Sequence, residues 1–293
     1  MRIELKRGAY TAAVETKGGE LVSFQDEQRV EYIWSGDPQY WPGRNPNLFP
    51  IVGNLKDGRV AFDGKSCEMA RHGFARGSEF SVAEQGEDYA VMELRDSPET
   101  LACYPYHFVL RIRHQLTDSG FYTQFEVQNP GSEDLLFCVG GHTGINCPLR
   151  EGEKFEDYRL VFDEKEDTRA MIPTAQGLLS VERYGPALEN TDTLALDYAV
   201  FDQVDTLIFE GLRSKGVTLR HKDGGRSVYM DFGEFPMIAF WTMGGVNAPY
   251  VCLEPWHGCA AYEEESGEFA DKPHAVRLAP GGEKKLKYTV ELR

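Results

Sequence analysis

The chain reads as an all-β protein, one large antiparallel β-sandwich built from many strands. Three observations predict it. Apolar and polar residues alternate with a period of two from end to end, 30 Gly and 15 Pro punctuate the chain at strand-like spacing, and helical patterns are scarce. Met1–Lys6 already alternates and reads as a strand, not as an export signal. Phe108, Leu110, Ile112, His114 and Leu116 share one apolar face, so His114 is expected to be structural. In Phe121–Gln128, Phe121, Thr123, Phe125 and Val127 face one way, and Tyr122, Gln124, Glu126 and Gln128 the other. Val217–His221, Lys222-Asp223-Gly224-Gly225 and Val228–Phe232 read as a hairpin with a Gly-containing turn. Leu286, Tyr288, Val290 and Leu292 form the last apolar face, opposed by Lys285, Lys287, Thr289 and Glu291. One short helical turn is expected after Ser97 as N-cap, with Pro98 at its first position. No repeat, low-complexity tract or linker interrupts the pattern, so residues 1–293 are expected to form a single domain.

Composition narrows the function. The 293 residues carry 31 Lys+Arg against 47 Asp+Glu, a net charge of −16. That balance argues against nucleic acid or an anionic membrane as partner, since both need a basic surface. No apolar run approaches the roughly 18 residues of a membrane-spanning helix. A hydrophobic content of 41% supports a sizeable core. Six cysteines at irregular spacing, with no CxxC pair, suggest reduced thiols in a cytoplasmic protein. The acidic clusters Asp163–Asp167 and Glu263–Glu265 are expected to be solvated surface.

Four segments break the alternation and gather polar groups beside Gly, Pro or Trp. They are Leu48–Gly58, Arg71–Arg76, Gly140–Pro148 and Leu253–Gly258. In an all-β fold, strand ends and loops of this kind are where a site is built. Together they supply a carboxylate, imidazoles, an Arg and a Trp, a set suited to proton transfer on a neutral polyol. A carboxylate takes a hydroxyl proton and a His delivers one to an ether oxygen. Trp256 offers a flat face to the C–H side of a sugar ring, and an Arg forks to vicinal hydroxyls. His72, His142, His257 and Glu254 are metal-ligand types, but no HxH or HExxH spacing is present, and neither GxSxG nor a nucleotide-binding loop occurs.

These segments, with Trp34-Ser35-Gly36-Asp37 and Tyr40-Trp41, resemble the aldose 1-epimerase (galactose mutarotase-like) family, its LacX-type branch above all. The motifs are Phe49-Pro50-Ile51-Val52-Gly53, His72-Gly73-Phe74-Ala75-Arg76, Gly140-Gly141-His142 with Asn146-Cys147-Pro148, and Glu254-Pro255-Trp256. Each is weak alone, and their common order carries the match. The resemblance implies a β-supersandwich and interconversion of α and β anomers of an aldose, with a small sugar as partner and no metal or organic cofactor. It implies that His142 is the acid at the ring oxygen and Glu254 the base at the C1 hydroxyl. His72 and Arg76 would contact the sugar, and Asp205 would bind its hydroxyls. Family members often carry an Arg where this chain has Asn54, which keeps hydrogen bonding without the charged fork. Arg71 is a neighbouring cation able to compensate. On reference pKa values, Glu254 is expected to be ionised near neutrality, and a carboxylate nearby would favour protonated His142. Two readings compete with a neutral-sugar mutarotase: a sugar-6-phosphate mutarotase, and a carbohydrate-binding protein of the same fold with little turnover.

Overall fold

The computed structural model describes residues 1–293. It contains 22 strands and two short α-helices. A 15-stranded antiparallel sheet dominates, joined by a three-stranded sheet from the N-terminus (Arg2–Arg7, Tyr10–Glu15, Glu20–Gln25) and two small two-stranded sheets. A contiguous core of 71 buried residues runs from Ile3 to Val290.

The alternating segments fold as their pattern dictates. Gly120–Gln128 pairs with Val109–Leu116 on one side and Glu283–Leu292 on the other. Phe121, Thr123, Phe125 and Val127 are buried, whereas Tyr122, Gln124, Glu126 and Gln128 are half-buried. His114 lies on the covered face, with Nδ1 2.9 Å from Thr123 Oγ1 and Nε2 2.8 Å from the Gly19 carbonyl. The hairpin forms between Gly216–His221 and Ser227–Asp231. Ser97 caps the helix Pro98–Cys103, with Thr100 reciprocating in a capping box.

Three sequence expectations need correction. The helix Tyr198–Val204, capped by Asp197, was not foreseen, because seven residues are too few for a helical period to emerge. Glu166, in the first acidic cluster, is buried and accepts the Arg213 and Ser214 amides at 3.2 and 2.8 Å. Glu265, in the second, pairs at 3.2 Å with Lys272, whose side chain is only 1% exposed. In both clusters one carboxylate turns inward because it meets donors that would otherwise be buried unpaired.

Candidate active site

The Phe49–Gly53 and Arg71–Arg76 segments are interlocked. The Phe49 carbonyl accepts the Phe74 and Ala75 amides, and the His72 amide donates to the Gly53 carbonyl at 3.0 Å. A Cβ on Gly73 would fall 2.3 Å from the Phe49 carbonyl oxygen, so only glycine fits. His72 itself holds φ +66°, a left-handed conformation that costs a branched or bulky residue on the order of 1 kcal/mol. Its Nδ1 accepts the Gly53 N–H at 3.1 Å. Each segment thus satisfies the other's backbone and fixes a buried imidazole.

His142 and Glu254 come together through strand pairing. Tyr250–His257 pairs with Thr143–Asn146 and with Val139–Gly141. The register is the same on both sides of His142, Gly140↔Trp256 before it and Thr143↔Leu253 after it, so His142 stands directly across from Glu254 on the neighbouring strand. The double glycine is a packing requirement. A Cβ on Gly140 would meet Trp256 and the Pro255 carbonyl at 2.8 Å, and one on Gly141 would press on the Tyr288 ring at 2.7 Å. His142 Nε2 lies 3.2 Å from Glu254 Oε2. The sequence reading put both residues in strand-end and loop segments. They occupy neighbouring strands side by side, 5% and 1% exposed.

Aromatic rings wall this niche. Trp41 stacks on the His142 imidazole, centroids 4.9 Å apart and planes at 28°, and Trp241 meets it edge-on at 5.6 Å. His72 is edge-on to His142 at 5.6 Å. Beyond its contact with His142, Glu254 Oε2 makes no hydrogen bond, and His142 Nδ1, the Trp256 indole nitrogen and the Tyr250 hydroxyl are buried without partners. Natural proteins leave few such groups, and a cluster of them marks a place where a polar ligand completes the set. Burial drives the ionisation of the pair. It lowers His142 to about 3, with the charge of Arg71 acting the same way. It raises Glu254 well above the usual carboxylate range, while the Arg71 charge pulls it back. The expected resting pair of carboxylate and imidazolium is therefore reversed in the dry site: desolvation favours the uncharged arrangement.

A cleft of about 820 Å³ adjoins the niche, lined among others by Asn54, Arg71, Asp205, Arg183 and Met243. Asp205, at φ +61°, is clamped from both sides. Its Oδ1 accepts the Trp241 indole N–H at 3.1 Å and its Oδ2 the Thr206 hydroxyl at 2.9 Å. Asp202, three residues earlier, accepts the Gly245 amide at 2.6 Å and so secures a loop. Another cavity of about 520 Å³, near Arg7, Tyr32 and Arg226, holds charges already matched, Arg7 by Asp88 and Asp118 and Arg226 by Asp26.

Several sequence-named residues depart from expectation. Trp256 is 4% exposed and part of the core, because the strand that carries it is covered on both faces; its ring offers no open platform. The Asn54 amide donates to the Gln176 carbonyl at 3.0 Å and ties down the cleft rim. Arg76 is exposed and outside the cleft lining, reaching His72 and His142 only through its field. Trp241 was missed: it ends an apolar strand, Met237–Trp241, where nothing distinguishes a site residue from core. Cys252 was missed too. Its thiol and the ligand atoms of His142 and Glu254 lie within 4.8 Å of one another, the nearest approach to a metal-ligand set.

Comparison with known proteins places this geometry. The family profile "Aldose 1-epimerase" matches residues 1–289. The chain belongs to the aldose 1-epimerase family. It is 36% identical over its full length to protein LacX of Lactococcus lactis subsp. lactis, covering 99% of that protein. Among solved structures it superposes on a galactose mutarotase related enzyme from Lactobacillus acidophilus with a TM-score of 0.94 and 29% identity, covering 100% of this chain and 97% of that one. A galactose mutarotase-like protein from Lactobacillus casei gives 0.90 and 25%, with both chains fully covered. The fold is therefore galactose mutarotase-like.

Proposed function

We propose that this chain is a mutarotase that interconverts the α and β anomers of an aldose by acid–base catalysis through ring opening. The observation that carries the reading is the 3.2 Å approach of His142 Nε2 to Glu254 Oε2 in a buried niche with unpartnered polar atoms. Ring opening removes the proton of O1 and delivers one to O5; the aldehyde rotates about C1–C2 and recloses on its other face. The niche supplies both partners. Burial keeps the pair uncharged when empty, and a bound sugar replaces missing solvation with its hydroxyls, so the proton moves to His142 and Glu254 becomes the base. His72 and Asp205 orient the sugar, and the protein works in the cytoplasm, in keeping with six unpaired cysteines, five of them buried.

Polarimetry on fresh α-anomers of glucose, galactose and their 6-phosphates tests the reading. Glu254→Gln and His142→Asn should each slow exchange by about 10²–10⁴-fold, the usual range for a lost acid or base. Wild-type rates in both variants would remove the assignment. A sugar-phosphate substrate is a second reading, favoured by Arg71 and Arg183 lining the cleft, where their side chains contact His72 and the Pro173 carbonyl and not a carboxylate. Faster exchange of glucose 6-phosphate than of glucose would select it. Sugar binding in a calorimeter without acceleration of exchange would select a binding protein.

A further inference from the structure

The large apolar side chains left exposed on this protein are Met1, Val181, Tyr184 and Val246. Met1 is the first residue of the chain. The other three gather at the mouth of the cleft. Val181 and Tyr184 bracket Arg183, Val246 follows Gly245, and both Arg183 and Gly245 line the cleft. Single exposed apolar groups scattered over a surface need no explanation, but three around one opening mark a surface that meets a ligand. Tyr184 is also the one exposed aromatic residue of the chain; every other is buried or half-buried.

Tyr184 lines a second cavity of about 630 Å³, together with Glu182 and Glu263. This cavity shares Thr174, Ala175, Gln176 and Arg183 with the cleft, so the two form one groove. The groove begins at Asp205, which holds the Trp241 ring that meets His142, and it ends at Tyr184. The segment between is firmly built. The Leu179 amide donates to the Ala261 carbonyl and the Glu263 amide to the Leu179 carbonyl, both at 2.9 Å. Arg183 Nε donates to the Pro173 carbonyl at 2.9 Å, and the Arg169 guanidinium lies 5.9 Å over the Tyr184 ring.

The groove is longer than one sugar needs. Sites of about 300–1,000 Å³ hold drug-sized ligands, and the cleft alone reaches about 820 Å³. A lone hexose with its C1 at the niche leaves the Tyr184 end empty. Mutarotation requires a free hydroxyl at C1, so a longer substrate extends from another oxygen of the reacting ring. At the outer end Glu182 and Glu263 outnumber Arg183, which favours a neutral, hydroxyl-rich group there over a phosphate. A flat aromatic face suits the C–H side of a sugar ring.

We propose that the outer cavity is a second sugar subsite: the chain acts on the reducing end of a disaccharide or longer saccharide, whose next ring lies on Tyr184. The inference deepens the mutarotase reading above and rests on it. The bond that opens and recloses is still C1–O5 of the terminal unit, and the glycosidic bond is untouched.

Anomer exchange followed by NMR saturation transfer tests it on D-glucose, maltose, cellobiose and isomaltose, which share the same reacting ring. At least one disaccharide should show a KM about 3–10-fold below that of glucose, the range for one aromatic contact. Tyr184→Ala should raise that KM to the glucose value and leave the glucose KM where it was. Tyr184→Phe should keep the preference, because stacking uses the ring face and not the hydroxyl. Glucose exchange with no disaccharide of lower KM overturns the second subsite alone. An unmoved disaccharide KM in Tyr184→Ala, or an equal rise for glucose, overturns it too, the latter because the ring would then only support the fold. Wild-type protein that accelerates none of the four sugars, or Glu254→Gln that turns over like wild type, overturns the mutarotase reading and this inference with it.

Discussion

Two strands of the same sheet show opposite designs. Gly120–Gln128 alternates buried with half-buried residues, whereas Tyr250–His257 is buried at seven consecutive positions, Glu254 among them. The first divides its residues between core and water, so its polar groups are cheap to keep. The second is covered on both faces, so every polar group on it must be matched or must await a ligand. Both strands feed the core, and only the second surrounds the proposed acid–base pair with two-sided burial.

Substitutions break that contrast if it is wrong. Phe125, 1% exposed between Thr123 and Val127, should lose about 3–5 kcal/mol on truncation to Ala, as large core aromatics do. Urea denaturation measures this, and exchange per folded molecule should be unchanged; a loss below about 1 kcal/mol would show that the alternating region does not carry the fold. His114 gives the next effect. Burial lowers its pKa from 6.5 to about 4. The folded state then binds fewer protons than the unfolded one between those values. Its stabilisation is complete above pH 6.5 and lost as pH falls towards 4, about 3 kcal/mol in all. Imidazole NMR should find His114 still neutral at about pH 5, and a midpoint near that of free histidine would contradict it. Glu254→Gln should have the smallest effect on stability, within about 1 kcal/mol, because a buried carboxyl with an unpartnered oxygen contributes little to folding. A large destabilisation there would make Glu254 a structural residue and erase the contrast.

The same difference sets how much the sequence discloses. Period-two alternation marks a sheet with one wet face, so Phe121–Gln128 and Leu286–Leu292 were legible residue by residue. A strand covered on both faces has no such period. Glu254 and His142 were found through the resemblance and through Gly and Pro beside polar residues, and the register that joins them is long-range. Trp241 and Cys252 gave no signal, because an inward-facing aromatic or thiol looks like core whether or not a site lies beside it. The ionisation of the pair was misjudged for a related reason. Reference pKa values describe groups in water, and desolvation is a property of the folded neighbourhood.

The double glycine at 140 and 141 has a consequence for anyone seeking to retarget the protein. Any side chain there collides with Trp256 or Tyr288, so the imidazole is bolted to the C-terminal strands and its location is not open to redesign. The opposite rim is tied by side chains, the Asn54 amide to the Gln176 carbonyl, Arg183 Nε to the Pro173 carbonyl and the Gly245 amide to Asp202. Diversification aimed at new sugars belongs on that rim, where the tethers are side chains that can be exchanged without touching the glycines that fix the imidazole.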